Sequence, residues 1–149
     1  MIRVLFVCHG NICRSTMAES VFTHMIKKRG LENEFIIFSA GTSREEIGNP
    51  PHYGTVKKLK ELNIQVVPHR ATQMTKKDLE DYDYIIGMDE ANIRNIEKIV
   101  GTKSEKIKKL LSFSGLKDDI ADPWYTGNFD RTYEDIEKGL NDFLKEILK

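Results

Sequence analysis

The chain has 149 residues, with 23 basic against 23 acidic side chains for a formal net charge of zero, 40% hydrophobic and 31% charged. A length of this order makes one ordinary domain that buries roughly 70% of its unfolded surface without disulfides or metal, and the composition is globular rather than disordered. The charge balance excludes a general nucleic-acid binder, whose affinity rests on counterion release by many Lys and Arg. Two cysteines, Cys8 and Cys13, are too few for a secreted disulfide scaffold.

The first apolar run, residues 4–7, is shorter than a signal-peptide core and is followed at once by polar and glycine residues. No stretch approaches the roughly 18 apolar residues of a membrane span. A cytoplasmic protein with reduced thiols and no membrane anchor is therefore expected, leaderless export being the alternative route.

In chain order, residues 4–8 form a continuous apolar, β-branched run that predicts a strand buried on both faces. A turn-rich segment, His9 to Ser15, separates it from a helix carrying Met17, Val21, Phe22, Met25 and Ile26 at helical spacing and stopped by Gly30. Residues 35–38 predict a second strand ending at Ser39-Ala40-Gly41-Thr42. Pro50 and Pro51 punctuate a loop before a helix with Val56, Leu59 and Leu62 on one face. Residues 84–88 predict a third buried strand, Ile93, Ile96 and Val100 a further helix, and residues 107–113 a fourth strand interrupted by Lys108 and Lys109. A loop with Asp122-Pro123-Trp124-Tyr125 precedes a last helix striped by Ile136, Leu140, Phe143, Leu144 and Ile147. Strands alternating with helices predict a parallel sheet covered on both faces, with the site beyond the carboxyl ends of the strands. Cys8 ends the first strand there.

The zero net charge is unevenly spread. Residues 1–30 carry Arg3, Arg14, Lys27, Lys28 and Arg29 against Glu19 alone, whereas residues 118–149 carry nine acids against four bases. Loops from the two regions could meet at the site, one attracting an anion and the other supplying carboxylates. Two separately solvated faces would read the same way.

The segment Cys8-His9-Gly10-Asn11-Ile12-Cys13-Arg14-Ser15 carries the chemistry. A strand, a glycine-containing turn and a helix start present unpaired N–H groups, and the helix dipole favours negative charge among them. Gly10 lets the backbone turn and approach a ligand closely. Arg14 brings a planar fork suited to two phosphate oxygens. Those donors favour the thiolate of Cys8 at the bottom of the cradle, and a thiolate facing a phosphate ester suits nucleophilic displacement at phosphorus. The competing reading of Cys8 is an inert core thiol.

The octet, followed by Thr16-Met17-Ala18-Glu19, resembles the phosphate-binding loop of the low-molecular-weight protein tyrosine phosphatases. The resemblance continues along the chain through Ser39-Ala40-Gly41-Thr42, Pro68-His69-Arg70-Ala71, Met88-Asp89 with Asn92, and Asp122-Pro123-Trp124-Tyr125. It implies one three-layer α/β domain over residues 1–149, a four-stranded parallel sheet in the flavodoxin-like order 2-1-3-4 with helices on both faces. It implies Cys8 as the nucleophile forming a cysteinyl-phosphate. Arg14 and the loop amides of His9, Gly10, Asn11, Ile12, Cys13 and Arg14 would bind phosphate. Asp122 would be the general acid and then the base for water. A helix-entry or turn role is the alternative for Asp122. Asn11 and Ser15 would hold the loop and the thiolate, Ser15 having a helix N-cap as its other reading. Ser39 and His69 would support Asn11, with a surface place as the alternative for His69.

Cys13 has no part in the displacement; it is a candidate redox guard for Cys8 or a packing residue under the loop. Trp124 and Tyr125 offer aromatic surface for a phenyl ring. Ile12 follows Asn11 as in the tyrosine-directed branch, where the related arginine phosphatases tend to carry Thr. A departure falls on the opposite pocket wall, where Glu45 stands near the position of a frequent aromatic residue. Phosphotyrosine-containing proteins are the expected partners, without cofactor, metal, nucleic acid or membrane, and a monomer is expected, weak self-association being the other state weighed. Rival readings are an arginine phosphatase, an arsenate reductase (which needs further cysteines downstream, absent after Cys13) and a non-catalytic phosphopeptide-binding module, which would have no use for Cys8 and Asp122.

Overall fold

In the computed structural model, which describes residues 1–149, the elements run β1 (Ile2–Cys8), α1 (Arg14–Lys28), β2 (Phe35–Gly41), α2 (Tyr53–Glu61), α3 (Asp78–Asp81), β3 (Tyr84–Gly87), α4 (Glu90–Val100), β4 (Ile107–Lys109), α5 (Pro123–Thr126) and α6 (Phe129–Ile147), with short 3-10 turns at Glu32–Glu34 and Leu110–Ser114. The four strands are all parallel in the order β2-β1-β3-β4, as expected. Alternation along β1 divides the core. Val4, Phe6 and Cys8 face a cluster with Met17, Phe22, Leu140 and Phe143, covered by α1, α2 and α6. Leu5 and Val7 face the other cluster with Ile85, Ile96 and Val100, covered by α4. Both faces of β1 are thus dry, which is why its sequence shows an unbroken apolar run.

Three boundaries differ from the sequence expectation. The second strand runs on past residue 38 to Gly41, because Ser39, Ala40 and Gly41 stay in register with Phe6, Val7 and Cys8. Their small side chains look like loop, but they are buried where the backbones crowd: a Cβ on Gly41 would stand 2.8 Å from the His9 carbonyl oxygen. The third strand ends at Gly87, one residue early. The fourth shrinks to Ile107–Lys109 and turns into the 3-10 segment. Leu110 and Leu111 are both buried in one cluster, and a strand would point successive side chains to opposite faces. The loop expected at residues 122–125 is also partly helical: Asp122 caps, Pro123 occupies the first turn, and Gly127 closes it with φ of 70°.

The register aligns the carboxyl ends of β2, β1 and β3, pairing Cys8 with Gly41 and Val7 with Gly87. Successive connections leave β1 in opposite directions, toward β2 and then toward β3. The crevice above β1 is therefore the switch point, and Cys8 lies at its floor.

Candidate active site

Residues 8–13 form a loop whose hydrogen bonding is one-sided. The Cys8 carbonyl accepts from Thr42 N–H (2.9 Å), His9 from Ser43 (3.0 Å), Ile12 from His52 (2.8 Å) and Cys13 from Met17 (3.0 Å). The N–H groups of residues 9–13 donate to nothing else in the chain outside the regular elements. Carbonyls tied outward and amides left free make a nest for an anion. Asn11 closes the turn with φ of 61°, a left-handed conformation tolerated by Asn better than by most residues.

The side chain of Asn11, fully buried, fixes that shape. Its Nδ2 donates to Ser15 Oγ (2.8 Å) and Ser39 Oγ (3.0 Å), and its Oδ1 accepts from Thr72 N–H (3.0 Å). His69 Nε2 lies 2.6 Å from the same Oδ1, so it carries the proton. Ser39 Oγ donates to Glu19 Oε1 (2.6 Å), which ends the network in the core. Burial pushes Glu19 up to about 7, against the lowering effect of the Ser39 bond, and pushes His69 down. The 3.8 Å approach of His69 Nδ1 to Glu19 Oε1 thus joins two groups that both resist charge, rather than an ion pair.

Ser15 is the second residue of α1 and does not cap it: the N-cap is Cys13. The Ser15 hydroxyl oxygen accepts from Asn11, which leaves its own proton free for Cys8 Sγ, 3.1 Å away. The Ser15 N–H also donates to that sulfur, at 3.4 Å. Cys13 is buried beneath the loop as a free thiol. Burial, then Cys8 and Asp122, push it up to about 12, although Arg14 and Thr55 pull the other way.

Arg14, 2% exposed, is clamped from one side. Its Nη1 donates to Asp89 Oδ2 (2.7 Å) and the Ile120 carbonyl (2.9 Å), and Nη2 reaches Asp122 Oδ2 at 3.4 Å. Burial lowers its pKa, but Cys8, Asp89 and Asp122 outweigh that and hold it above its ordinary value, so it stays charged. Its Nε is buried without any hydrogen-bond partner. An orphaned guanidinium N–H in the interior is costly, and one beside a nest of free amides is provision for an anionic oxygen.

Asp122 takes the helix-entry place that was one of its two sequence readings, and it also faces Arg14. Oδ1 caps α5 by accepting from Trp124 N–H (3.0 Å), and Oδ2 faces Arg14. Its segment is pinned by Ile120 N–H donating to the Met88 carbonyl (3.0 Å) and Thr132 Oγ1 donating to the Ala121 carbonyl (3.1 Å). The basic N-terminal region and the acidic C-terminal one therefore do meet, through Arg14 and Asp122. Asp89 was not among the sequence candidates, nor was Glu19. Asp89 doubles as the N-cap of α4, in a reciprocal capping box with Asn92. The pattern of Asp followed three residues later by Asn after a buried strand was the available signal; nothing local marked Glu19 as interior.

A small cavity of about 100 Å³ opens above Cys8, with Trp124 and Tyr125 on one wall and Glu45 and Glu46 on the other. Both aromatic side chains are exposed. Glu45 Oε2 accepts from His9 Nε2 at 3.0 Å. No helix of the chain is long and apolar enough to cross a membrane.

The family model for low molecular weight phosphotyrosine protein phosphatases matches residues 3–149. The low molecular weight protein-tyrosine-phosphatase YfkJ of Bacillus subtilis is 44% identical, the match covering 100% of this chain and 97% of that one. Its crystal structure superposes with a TM-score of 0.95 at 43% identity, over 99% and 95% of the two chains. PtpA of Staphylococcus epidermidis, likewise a low molecular weight protein-tyrosine-phosphatase, is 38% identical over 100% of this chain and 96% of its own. A Drosophila arginine phosphatase also shares the fold, at 30% identity and a TM-score of 0.89 over 98% of each chain.

Proposed function

The chain belongs to the low molecular weight phosphotyrosine protein phosphatase family, and on that premise we propose that it hydrolyses phosphotyrosine in proteins through a cysteinyl-phosphate intermediate. The observation that carries the reading is the orphaned Arg14 Nε at the start of the helix that follows the free loop amides, with Cys8 among the residues lining the cavity. A phosphate seated there accepts from the amides and from the open side of the guanidinium, with phosphorus presented to Cys8 Sγ. The sulfur lone pair forms the S–P bond as the P–O bond to the phenol breaks, and the Asp122 carboxyl gives its proton to the departing oxygen. Charge growing on the equatorial oxygens meets donors that are already oriented. In the second step the Asp122 carboxylate takes a proton from water, the water oxygen attacks phosphorus, and the S–P bond breaks. Inorganic phosphate leaves and the thiolate is restored, with Ser15 donating to it.

Asp89 is a positioning residue for Arg14 in this scheme, and Asn11 with Ser39, His69 and Glu19 is the frame for the loop. Trp124 and Tyr125 supply the wall on which the phenyl ring of the substrate stacks, and Ile12, largely buried, keeps an apolar side chain where arginine phosphatases tend to carry Thr. The test is phosphate release from an aryl phosphate in EDTA, with phosphotyrosine, phosphoserine and phosphoarginine compared at equal concentration. Metal-independent turnover of the aryl phosphate and phosphotyrosine, lost in Cys8→Ser, is expected. No release by the wild type, or full activity in Cys8→Ser, overturns the reading.

A further inference from the structure

The wall opposite the aromatic residues has a feature that the displacement at phosphorus does not use. Past the end of β2, Thr42 and Ser43 keep pairing with the carbonyls of Cys8 and His9, which carries the chain alongside the loop and brings Glu45 over His9. Glu45 is 71% exposed in its side chain and His9 48%, so the pair sits at the mouth of the cavity rather than at its floor. Only Glu45 Oε2 is engaged, by His9 Nε2 at 3.0 Å; Oε1 makes no hydrogen bond within the chain. Glu46, on the same wall, is occupied: it accepts from Asn49 Nδ2 and packs over Gly10. The charged groups lining the cavity are Glu45, Glu46 and Asp122, with His9 the titratable neighbour. Arg44 and Arg70 lie outside it, and Arg70 donates to the Gly48 carbonyl.

On the phosphatase reading the phosphate lies against Cys8 and the loop amides at the inner end, and the most exposed side chains lining the cavity are Trp124, Tyr125 and Glu45. A tyrosyl side chain spanning that distance delivers its own backbone, and the residues next to it, to the mouth. An acidic flanking residue there meets a carboxylate of like charge. A basic one meets an acceptor whose second oxygen is already held in place by His9, so less side-chain freedom is lost on pairing.

We infer that Glu45, held by His9, is a specificity-determining residue that favours phosphotyrosine flanked by Lys or Arg over phosphotyrosine flanked by Asp or Glu. The inference rests on the phosphotyrosine reading above and deepens it. Rim charges of this kind act on encounter and partner choice more than on the chemical step, and their effect is screened by salt.

The experiment compares kcat/KM for two short phosphotyrosine peptides that differ only in their neighbours, Lys on both sides or Glu on both sides, in wild type, Glu45→Gln and Glu45→Lys. An aryl phosphate with no flanking residues is run beside them. The ratio is taken within each enzyme, so a general loss of turnover cancels. At low ionic strength the wild type is expected to favour the Lys-flanked peptide by about fivefold to tenfold, as attraction on one peptide and repulsion on the other combine. Glu45→Gln brings the ratio to about twofold and Glu45→Lys inverts it, and high salt compresses all three toward one. Turnover of the aryl phosphate with the same ratio in wild type and Glu45→Lys overturns this inference and leaves the phosphatase reading standing. Failure of the wild type to hydrolyse the aryl phosphate and both peptides overturns both readings.

Discussion

Replacing Glu19 by Gln tests whether a buried carboxyl proton underwrites the loop. Glu19 is 2% exposed, accepts from Ser39 Oγ, and is pushed by burial from the ordinary 4.5 up to about 7. The native state thus binds the proton more tightly than the unfolded chain. At about 1.36 kcal/mol per pH unit, the difference amounts to about 3 kcal/mol. Below the unfolded value both states hold the proton and the group contributes no pH dependence. Between 4.5 and 7 the unfolded chain has released it and the native chain has not, so stability falls as pH rises. Above about 7 the native carboxyl also ionises, and the whole of that stabilising difference has been lost. Gln keeps an acceptor for Ser39 and cannot ionise. Urea unfolding of wild type and Glu19→Gln at pH 5 and pH 8 isolates the group, because every other titration is common to both except its coupling to His69. Most of the 3 kcal/mol, about 2 to 3, should appear as extra loss in the wild type between the two pH values. Equal pH dependence in the two proteins would refute the argument that Glu19 is held neutral by the core.

Three further outcomes follow from the site. Asp122→Asn should slow aryl phosphates with poor leaving groups far more than those with good ones, by about a hundredfold against a few-fold; equal slowing of both removes Asp122 from the acid role. Asn11→Ala loses every side-chain bond that ties the loop to Ser15, Ser39, His69 and Thr72, and kcat/KM on an aryl phosphate should fall by about tenfold to a hundredfold with the fold retained. Asn11→Gly relieves the backbone at φ of 61° without restoring the bonds, so wild-type activity in that variant would show that the network does not hold the loop. In a Cys8→Ser protein, Cys13 should resist iodoacetamide at mildly alkaline pH by mass spectrometry and react readily in urea. Burial is the main cause of its high value, and that survives the loss of Cys8. Rapid alkylation of the folded protein would contradict it.

The sequence by itself determined the parts of this protein whose causes are local. The dry strand at residues 4–8 reads from its unbroken apolar run because both sheet faces are covered. The octet from Cys8 to Ser15 reads because phosphate chemistry needs a strand end, a tight turn and a helix start in immediate succession, and those lie within a few bonds of one another. Asp122 was legible for the same reason, since Asp-Pro before Trp-Tyr-Thr-Gly carries both a helix cap and a pocket rim. Tertiary structure decided what depends on distant segments. Ser39 to Gly41 became strand because β1 and the residue 72 region pair with them, against their own weak preference. Residues 110–114 left the sheet because two adjacent leucines share one core and α6 covers them. Asp89 found Arg14 across 75 positions, and Glu19 found Ser39 across 20. Above all, which oxygens and nitrogens remain unpaired at Arg14 and in the loop is a property of the assembled crevice. A sequence names the donors, but only packing shows which of them have been left free to hold a phosphate.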